Sequence, residues 1–177
     1  MGDLSLRETS EMMQSRSEED FQYLTFSVSG ERFAVDILEI REIIEVGRMT
    51  DVPLAPGFVR GVVNLRGSVL PVIDLATRLG RERCELTKRS CIVVVDLHND
   101  GKQSIGMLVD EVSEIMEIAP DMVQPPPALG EGLNTELIKG MGRVGELFIV
   151  LLDVDHILSA AECLTLEQIS QQQPSGP

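Results

Sequence analysis

Residues 58–75 read FVRGVVNLRGSVLPVIDL, and this stretch decides the fold. Two apolar segments flank a turn at Leu65-Arg66-Gly67, and short β-rich segments around a Gly-containing turn predict a hairpin. Asn64 and Arg66 place polar groups between strands that otherwise carry Val, Leu and Ile. A guanidinium on a rigid turn offers a fixed fork of donors to a carboxylate or to carbonyl groups. No nucleophile or base accompanies it, so the stretch predicts a recognition element.

Composition limits the classes of function. The chain has 177 residues, of which 43 % are hydrophobic, enough for one domain or for two small subdomains with a shared core. A net charge of −14 argues against nucleic acid and against anionic membrane surfaces, because both are bound through Lys and Arg. The N-terminus does not resemble a signal peptide and no long apolar run follows, so we expect a cytoplasmic protein without membrane insertion.

The two ends of the chain differ in composition from its middle. Residues 1–20 are polar and acidic and are predicted to form a flexible arm, whereas residues 169–177 are predicted to be a disordered tail. The ordered domain is therefore expected to span 21–168. Its three cysteines, Cys84, Cys91 and Cys163, lack the spacing of a metal site and are expected to be free thiols.

The ordered domain repeats itself. Residues 33–43 resemble residues 105–115 at an offset of 72 positions, and residues 60–74 resemble residues 139–153 at an offset of 79. The longer connector of the second half contains Pro125-Pro126-Pro127, which we interpret as a stiff loop rather than a polyproline ligand. One duplication with an enlarged loop explains both offsets, and it divides the domain into subdomains of roughly 21–75 and 91–158.

Each half is predicted to consist mainly of strands. Apolar and polar residues alternate from Leu24 to Val28, as in a half-buried strand, and Cys91 begins a continuous apolar run typical of a buried strand. Many short strands with turn signals favour small barrels. Segments 36–45 and 110–117 fit either a strand or a helix. Segments 77–86 and 155–169 are predicted to be helical.

An amphipathic pattern occurs once in each half. It consists of Ile37, Ile40, Ile43 and Ile44 in the first half and of Val109, Val112, Ile115 and Met116 in the second. These side chains either belong to an ordinary core or, if the halves pack about a pseudo-two-fold axis, line a shared groove. Such a groove would accept an amphipathic helix of a partner.

Catalysis is the alternative to binding. Four carboxylates end or interrupt apolar strands, and a close pair could hold Mg²⁺ or act as acid and base: Asp36, Asp74, Asp110 and Asp153. Asp74 and Asp153 are equivalent in the repeat and each precedes a helix-like segment, so helix capping is the simpler role. His98 and His156 lack metal-site spacing and are expected to be exposed. We therefore predict a binding protein without metal or cofactor, with a small Asp-dependent metal enzyme as a remote alternative.

The chain resembles the CheW-like chemotaxis coupling proteins over most of 21–158. Several motifs carry the resemblance in the same order, at residues 33–37, 40–43, 57–67, 71–75, 106–110 and 149–153. The resemblance implies an all-β fold with a few short helices, built from two interlocked five-stranded SH3-like barrels related by a pseudo-two-fold, plus a C-terminal helix. It also implies a non-enzymatic adaptor that joins chemoreceptors to a histidine kinase.

The resemblance further implies where the partners bind. The coiled-coil tip of a chemoreceptor would lie in the groove between the barrels, at Leu24, Ile37, Ile40, Ile43, Val112 and Ile115. The regulatory domain of the chemotaxis kinase would dock on barrel ends, and positions near receptor or kinase contacts are Glu42, Gly61, Val62, Asn64 and Arg66. The family pattern leaves open whether Glu42 and Arg66 pair with each other or with partners. It also implies a cytoplasmic protein recruited to membrane receptor arrays, or the same adaptor in a non-flagellar pathway such as surface motility or second-messenger control.

Overall fold

A computed structural model describes residues 21–98, 102–126 and 135–171. The predicted N-terminal arm lies outside these residues, as do Pro127 of the connector and residues 172–177 of the predicted tail. The described residues form eleven strands: β1 Gln22–Val28, β2 Glu31–Asp36, β3 Ile40–Glu45, β4 Val59–Leu65, β5 Ser68–Asp74, β6 Cys91–His98, β7 Lys102–Val109, β8 Glu111–Glu117, β9 Val123–Gln124, β10 Ile138–Val144 and β11 Leu147–Leu152. The helices are α1 Leu75–Arg78 and α2 Ala160–Gln171, and 3-10 turns occupy Ile37–Glu39, Pro120–Met122, Thr135–Leu137 and Val154–His156.

The strands form two sheets that exchange strands between the halves of the repeat. One sheet has the order β8-β1-β2-β11-β10-β9, and the other has the order β3-β6-β7-β5-β4. The exchange occurs at two parallel pairings, in which Leu151 lies opposite Ala34 and Val72 lies opposite Gly106. These two pairs are equivalent under the repeat, so the predicted interlocked arrangement is confirmed. The ranges 21–75 and 91–158 describe the repeat, whereas each sheet takes strands from both ranges.

Each sheet is curled. The segment that follows the strand at one edge of the sheet runs across to the opposite edge of the same sheet. After β3, the backbone N–H groups of Thr50 and Val62 donate to each other's carbonyl oxygens at 2.9 and 2.8 Å, which connects this segment to β4. In the other sheet the short strand β9 pairs with β10 at the corresponding position. The first sheet therefore has six strands rather than the predicted five, because β9 is long enough to count as a strand.

Glycine permits this close approach in both sheets. A Cβ on Gly61 would lie 2.6 Å from the carbonyl oxygen of Thr50. A Cβ on Gly140, its equivalent in the repeat, would lie 2.8 Å from Cγ1 of Val123 and 2.9 Å from the carbonyl oxygen of Gln124. Both hairpins also shift register at this point, between Val59 and Gly61 and between Ile138 and Gly140. A larger side chain would separate the edges of the curled sheet.

One core unites the two halves. Its largest cluster draws buried apolar side chains from both sheets and from α2, among them Phe26, Ile73, Ile92, Met107 and Leu166. Strand β1 is buried on both faces rather than one, because Thr25 is also fully buried and its hydroxyl donates to the carbonyl oxygen of Glu114 at 2.8 Å. No helix among the described residues is long and apolar enough to cross a membrane.

The predicted helices are shorter than expected. Segments 36–45 and 110–117, which fitted either state, are strands preceded in the first case by a 3-10 turn. The prediction of a helix over 77–86 is wrong beyond Arg78, because Gly80 adopts a φ of +79° and the chain turns away. Over 155–169, a short 3-10 turn capped by Asp153 precedes α2, so the helix begins only at Ala160. Ser159 and Glu162 form a capping box at that start, since each side chain accepts from the other's backbone N–H.

Candidate binding surface

Arg66 and Glu42 pair with each other. Nη1 and Nη2 of Arg66 donate to Oε2 and Oε1 of Glu42 at 2.8 and 3.0 Å. The bidentate geometry fixes the plane of the guanidinium, while the Arg66 side chain as a whole stays 70 % exposed. The question that the family pattern left open is therefore answered for the isolated chain, and the exposed face of Arg66 is available to a partner.

The turn that carries Arg66 is held by Asn64. Arg66 and Gly67 have φ angles of 52° and 87°, the combination that a two-residue hairpin turn requires. Oδ1 of Asn64 accepts a hydrogen bond from the Gly67 N–H at 2.7 Å and closes the turn. Among the predicted coupling positions, Asn64 therefore acts on the shape of the turn.

The two amphipathic segments are edge strands, and their apolar residues divide between core and surface. Ile40 and Ile44 of β3 and Val112 of β8 are half-buried and pack against the core. Ile43 and Ile115 point outward, with exposed fractions of 43 % and 58 %. Ile43 and Ile115 are equivalent under the repeat, and we refer to these two residues as the edge-strand surface.

The other predicted groove residues belong to the core or pack against it. Leu24 is buried in β1 and lies directly opposite Ile115 in the register of β1 and β8. Ile37 is half-buried in the 3-10 turn before β3 and packs against the core. The spacing of the isoleucines suits a helical stripe, but in a strand it directs Ile40 and Ile43 to different sides. Gly61 and Val62 lie at the backbone bridge to Thr50.

Sequence reasoning missed one apolar surface and one buried ion pair. Leu147 and Phe148, at the start of β11, are 69 % and 49 % exposed. The sequence signal for this surface was a pair of adjacent apolar residues directly after the Gly145-Glu146 turn.

The buried ion pair joins Nη1 of Arg60 to Oδ2 of Asp74 at 2.9 Å.

The four strand-end aspartates accept hydrogen bonds that hold turns and caps. Asp74 and Asp153 accept from the backbone N–H of Thr77 and Asp155, so the predicted capping role is confirmed. Asp36 caps the 3-10 turn at Leu38, and Asp110 accepts from the Ser29 N–H at 2.7 Å. These contacts give each carboxylate a structural role.

The histidines and cysteines agree with the expectations from sequence. His98 and His156 are exposed, and a hydrogen bond to Asp153 raises the pKa of His156. Each of the three cysteines carries a thiol that is not part of a disulfide. Cys84 is buried, its thiol donates to Oδ1 of Asp110 at 2.9 Å, and burial with this hydrogen bond raises its pKa to about 12.

Comparison with known proteins identifies the family to which this fold belongs. The family model described as the CheW-like domain matches residues 22–162. The "Chemotaxis protein CheW" of Klebsiella aerogenes is 29 % identical over 85 % of this chain and 89 % of its own length. "Protein FrzA" of Myxococcus xanthus is 30 % identical over 84 % of this chain and 90 % of its own. The crystal structure of the scaffolding protein TtCheW from Thermoanaerobacter tengcongensis superposes with a TM-score of 0.72 at 27 % identity, covering 81 % of this chain and 90 % of that one.

The chain belongs to the CheW-like domain family, since the family model matches well over half of the length of the chain.

Proposed function

We propose that the protein is a non-enzymatic adaptor that couples chemoreceptors to a chemotaxis histidine kinase. The observation that carries the proposal is the match to the CheW-like domain over 22–162 together with the interlocked two-sheet fold. A relative with the same fold is described as a scaffolding protein. An adaptor contributes binding energy and geometry. The oriented Arg66–Glu42 pair and the exposed apolar side chains of this chain suit that role.

The receptor side of the proposal rests on the edge-strand surface. Ile43 and Ile115 present apolar side chains to solvent from the edge strands of the two sheets. An amphipathic receptor helix would bury these side chains, and burial of a large aliphatic side chain contributes about 1.5–3 kcal/mol. Ile37, Ile40, Val112 and Leu24 would hold the surface in shape from the core side.

The kinase side rests on the strand ends. Arg66 presents an oriented guanidinium from the β4–β5 turn, and Leu147 and Phe148 present apolar area next to the equivalent β10–β11 turn. Arginine and aromatic side chains are both enriched in protein interfaces. Glu42 and Asn64 would orient Arg66, while Gly61 and Val62 would fix the closure of the sheet behind it.

Binding of purified partners tests the proposal. The chain is titrated with a chemoreceptor cytoplasmic fragment and, separately, with the kinase regulatory domain. Ile43→Ser and Ile115→Ser should each weaken receptor binding about tenfold or more, and Phe148→Ser should weaken kinase binding. Leu86→Ser is the control, because Leu86 is similarly exposed but lies in the loop between α1 and β6. Variants that fold and bind both partners as tightly as the parent would refute the assignment of these surfaces. Failure of the parent to bind either partner would refute the function.

The proposal places the protein in the cytoplasm, recruited to membrane receptor arrays. A second pathway deserves its own test because one relative, "Protein FrzA", has a name that does not refer to chemotaxis. The same adaptor in a surface-motility or second-messenger pathway would bind a receptor and a kinase through the same surfaces. Deletion of the gene, followed by separate assays of swimming chemotaxis and of surface motility, distinguishes the two pathways.

A further inference from the structure

Three potential metal ligands from distant parts of the chain meet at one place. Glu39 belongs to the 3-10 turn after β2, His98 ends β6, and Asp155 belongs to the 3-10 turn after β11. Their ligand atoms lie within 4.8 Å of one another. The backbone N–H of His98 donates to Oδ1 of Asp155 at 2.8 Å, which holds the strand end against the turn. The fold itself therefore brings one imidazole and two carboxylates together.

The spacing of the three side chains suits a transition metal. Nδ1 of His98 lies 3.1 Å from Oε2 of Glu39 and 3.5 Å from Oδ1 of Asp155. In a tetrahedral zinc site with bonds of about 2.0–2.1 Å, neighbouring ligand atoms are roughly 3.3 Å apart. A single ion could contact all three ligands after small side-chain rotations.

One of the oxygens lacks a hydrogen-bond partner. Oε2 of Glu39 is buried and accepts no hydrogen bond, although Nδ1 of His98 is 3.1 Å away. A buried carboxylate oxygen without a partner is costly, and a bound cation is one way to satisfy it. Burial raises the pKa of Glu39, and the nearby carboxylates of Asp155 and Asp36 act in the same direction. His98, when it is protonated, and Lys139 act in the opposite direction.

We propose that Glu39, His98 and Asp155 bind one divalent ion of the zinc class, with water completing its coordination. Imidazole favours zinc, nickel and copper over magnesium and calcium, which prefer all-oxygen sites. The ion would link the turn after β2 to the turn after β11, and these strands belong to different halves of the repeat. Its role is structural, and none of its three ligands belongs to the edge-strand surface or to the Arg66 turn.

Histidine NMR tests the site directly, because the chain has only two histidines. Zinc is titrated into the full chain while the imidazole resonances of both are followed, with His156→Gln providing the assignment. Equimolar zinc should shift the His98 resonances and leave those of His156 in place, and excess magnesium should not reverse the shift. Binding of zinc to a cysteine elsewhere would not produce this pattern.

Three variants and one control complete the test. Glu39→Gln and Asp155→Asn should each weaken zinc binding at least tenfold, and zinc should raise the thermal midpoint of the parent but not of His98→Gln. His156→Gln should bind zinc as the parent does. The proposal is overturned if His98 does not respond to stoichiometric zinc, if both histidines respond alike, or if Glu39→Gln binds as tightly as the parent.

Discussion

The Arg66–Glu42 ion pair joins opposite edges of one curled sheet. Glu42 lies on β3, the first strand in the order β3-β6-β7-β5-β4, and Arg66 lies in the turn that follows β4, the last one. The backbone bridge between Thr50 and Val62 joins the same two edges. The pair therefore holds an exposed arginine at the seam of the barrel, where its orientation depends on closure of the sheet.

Removal of this ion pair should change binding more than stability. Arg66 is mostly exposed, and exposed pairs contribute about 0–1 kcal/mol. We expect Arg66→Ala and Glu42→Ala each to lower the free energy of unfolding by less than about 1 kcal/mol, measured in urea, with a coupling energy of similar size in a double-mutant cycle. Kinase binding should fall distinctly in Arg66→Ala. Arg89→Ala, at a looser surface pair with Glu111, is the control. Loss of about 2 kcal/mol or more of stability would show that the pair is a structural clamp instead.

Two equivalent glycines should be required for closure of the two sheets. Alanine at Gly61 or Gly140 would place Cβ within 3 Å of backbone or side-chain atoms of the opposite edge. Such overpacking costs about 1–3 kcal/mol, so both Gly61→Ala and Gly140→Ala should lower the urea midpoint. Gly57→Ala is the matched control, because a Cβ there meets nothing within 4 Å. Equal midpoints for all three variants would contradict the closure argument.

Asp74 should be essential to the fold, although its counterpart in the second half is not. It is 1 % exposed, and its Oδ2 accepts from Arg60 Nη1 at 2.9 Å and from the Cys84 N–H at 3.0 Å. Breaking a buried pair costs about 3–5 kcal/mol, so Asp74→Asn should unfold at markedly lower temperature than the parent. Differential scanning calorimetry of the parent and of Asp74→Asn, under identical conditions, measures the change in unfolding temperature.

Asp153→Asn supplies the comparison. Asp153 is partly exposed and caps its turn, and asparagine caps nearly as well as aspartate. We expect a change of less than about 1 kcal/mol, the ordinary scale of a surface substitution. If Asp74→Asn is as stable as Asp153→Asn, the Arg60–Asp74 pair does not hold the first half together.

The sequence repeat predicted equivalent strands in the two halves, whereas the interlocking of the two sheets was implied by the family resemblance. Offsets of 72 and 79 positions relate the strands, the register shifts and the parallel pairs Val72–Gly106 and Leu151–Ala34. The distribution of the isoleucines between core and surface could not be read from the sequence, since Ile40 and Ile43 differ only in the face to which a strand directs them. The Arg60–Asp74 and Arg66–Glu42 pairs depend on which edges meet after the sheet curls, and no local pattern encodes that.

Burial of Cys84 should protect its thiol and make stability depend on alkaline pH. Burial is the main reason that the pKa of Cys84 rises from the ordinary 9.0 to about 12, with the Asp110 hydrogen bond second. A group whose pKa is higher in the folded state stabilises fully below its unfolded pKa and loses that contribution as pH rises toward the folded value. The urea midpoint should therefore decline between about pH 9 and pH 12, and more steeply in the parent than in Cys84→Ala.

Because the thiolate is the nucleophile, iodoacetamide at pH 8 should label the half-buried Cys91 first and Cys84 only in urea, as peptide mass spectrometry would show. Equal labelling of Cys84 and Cys91 in the native protein would contradict the buried Cys84–Asp110 contact.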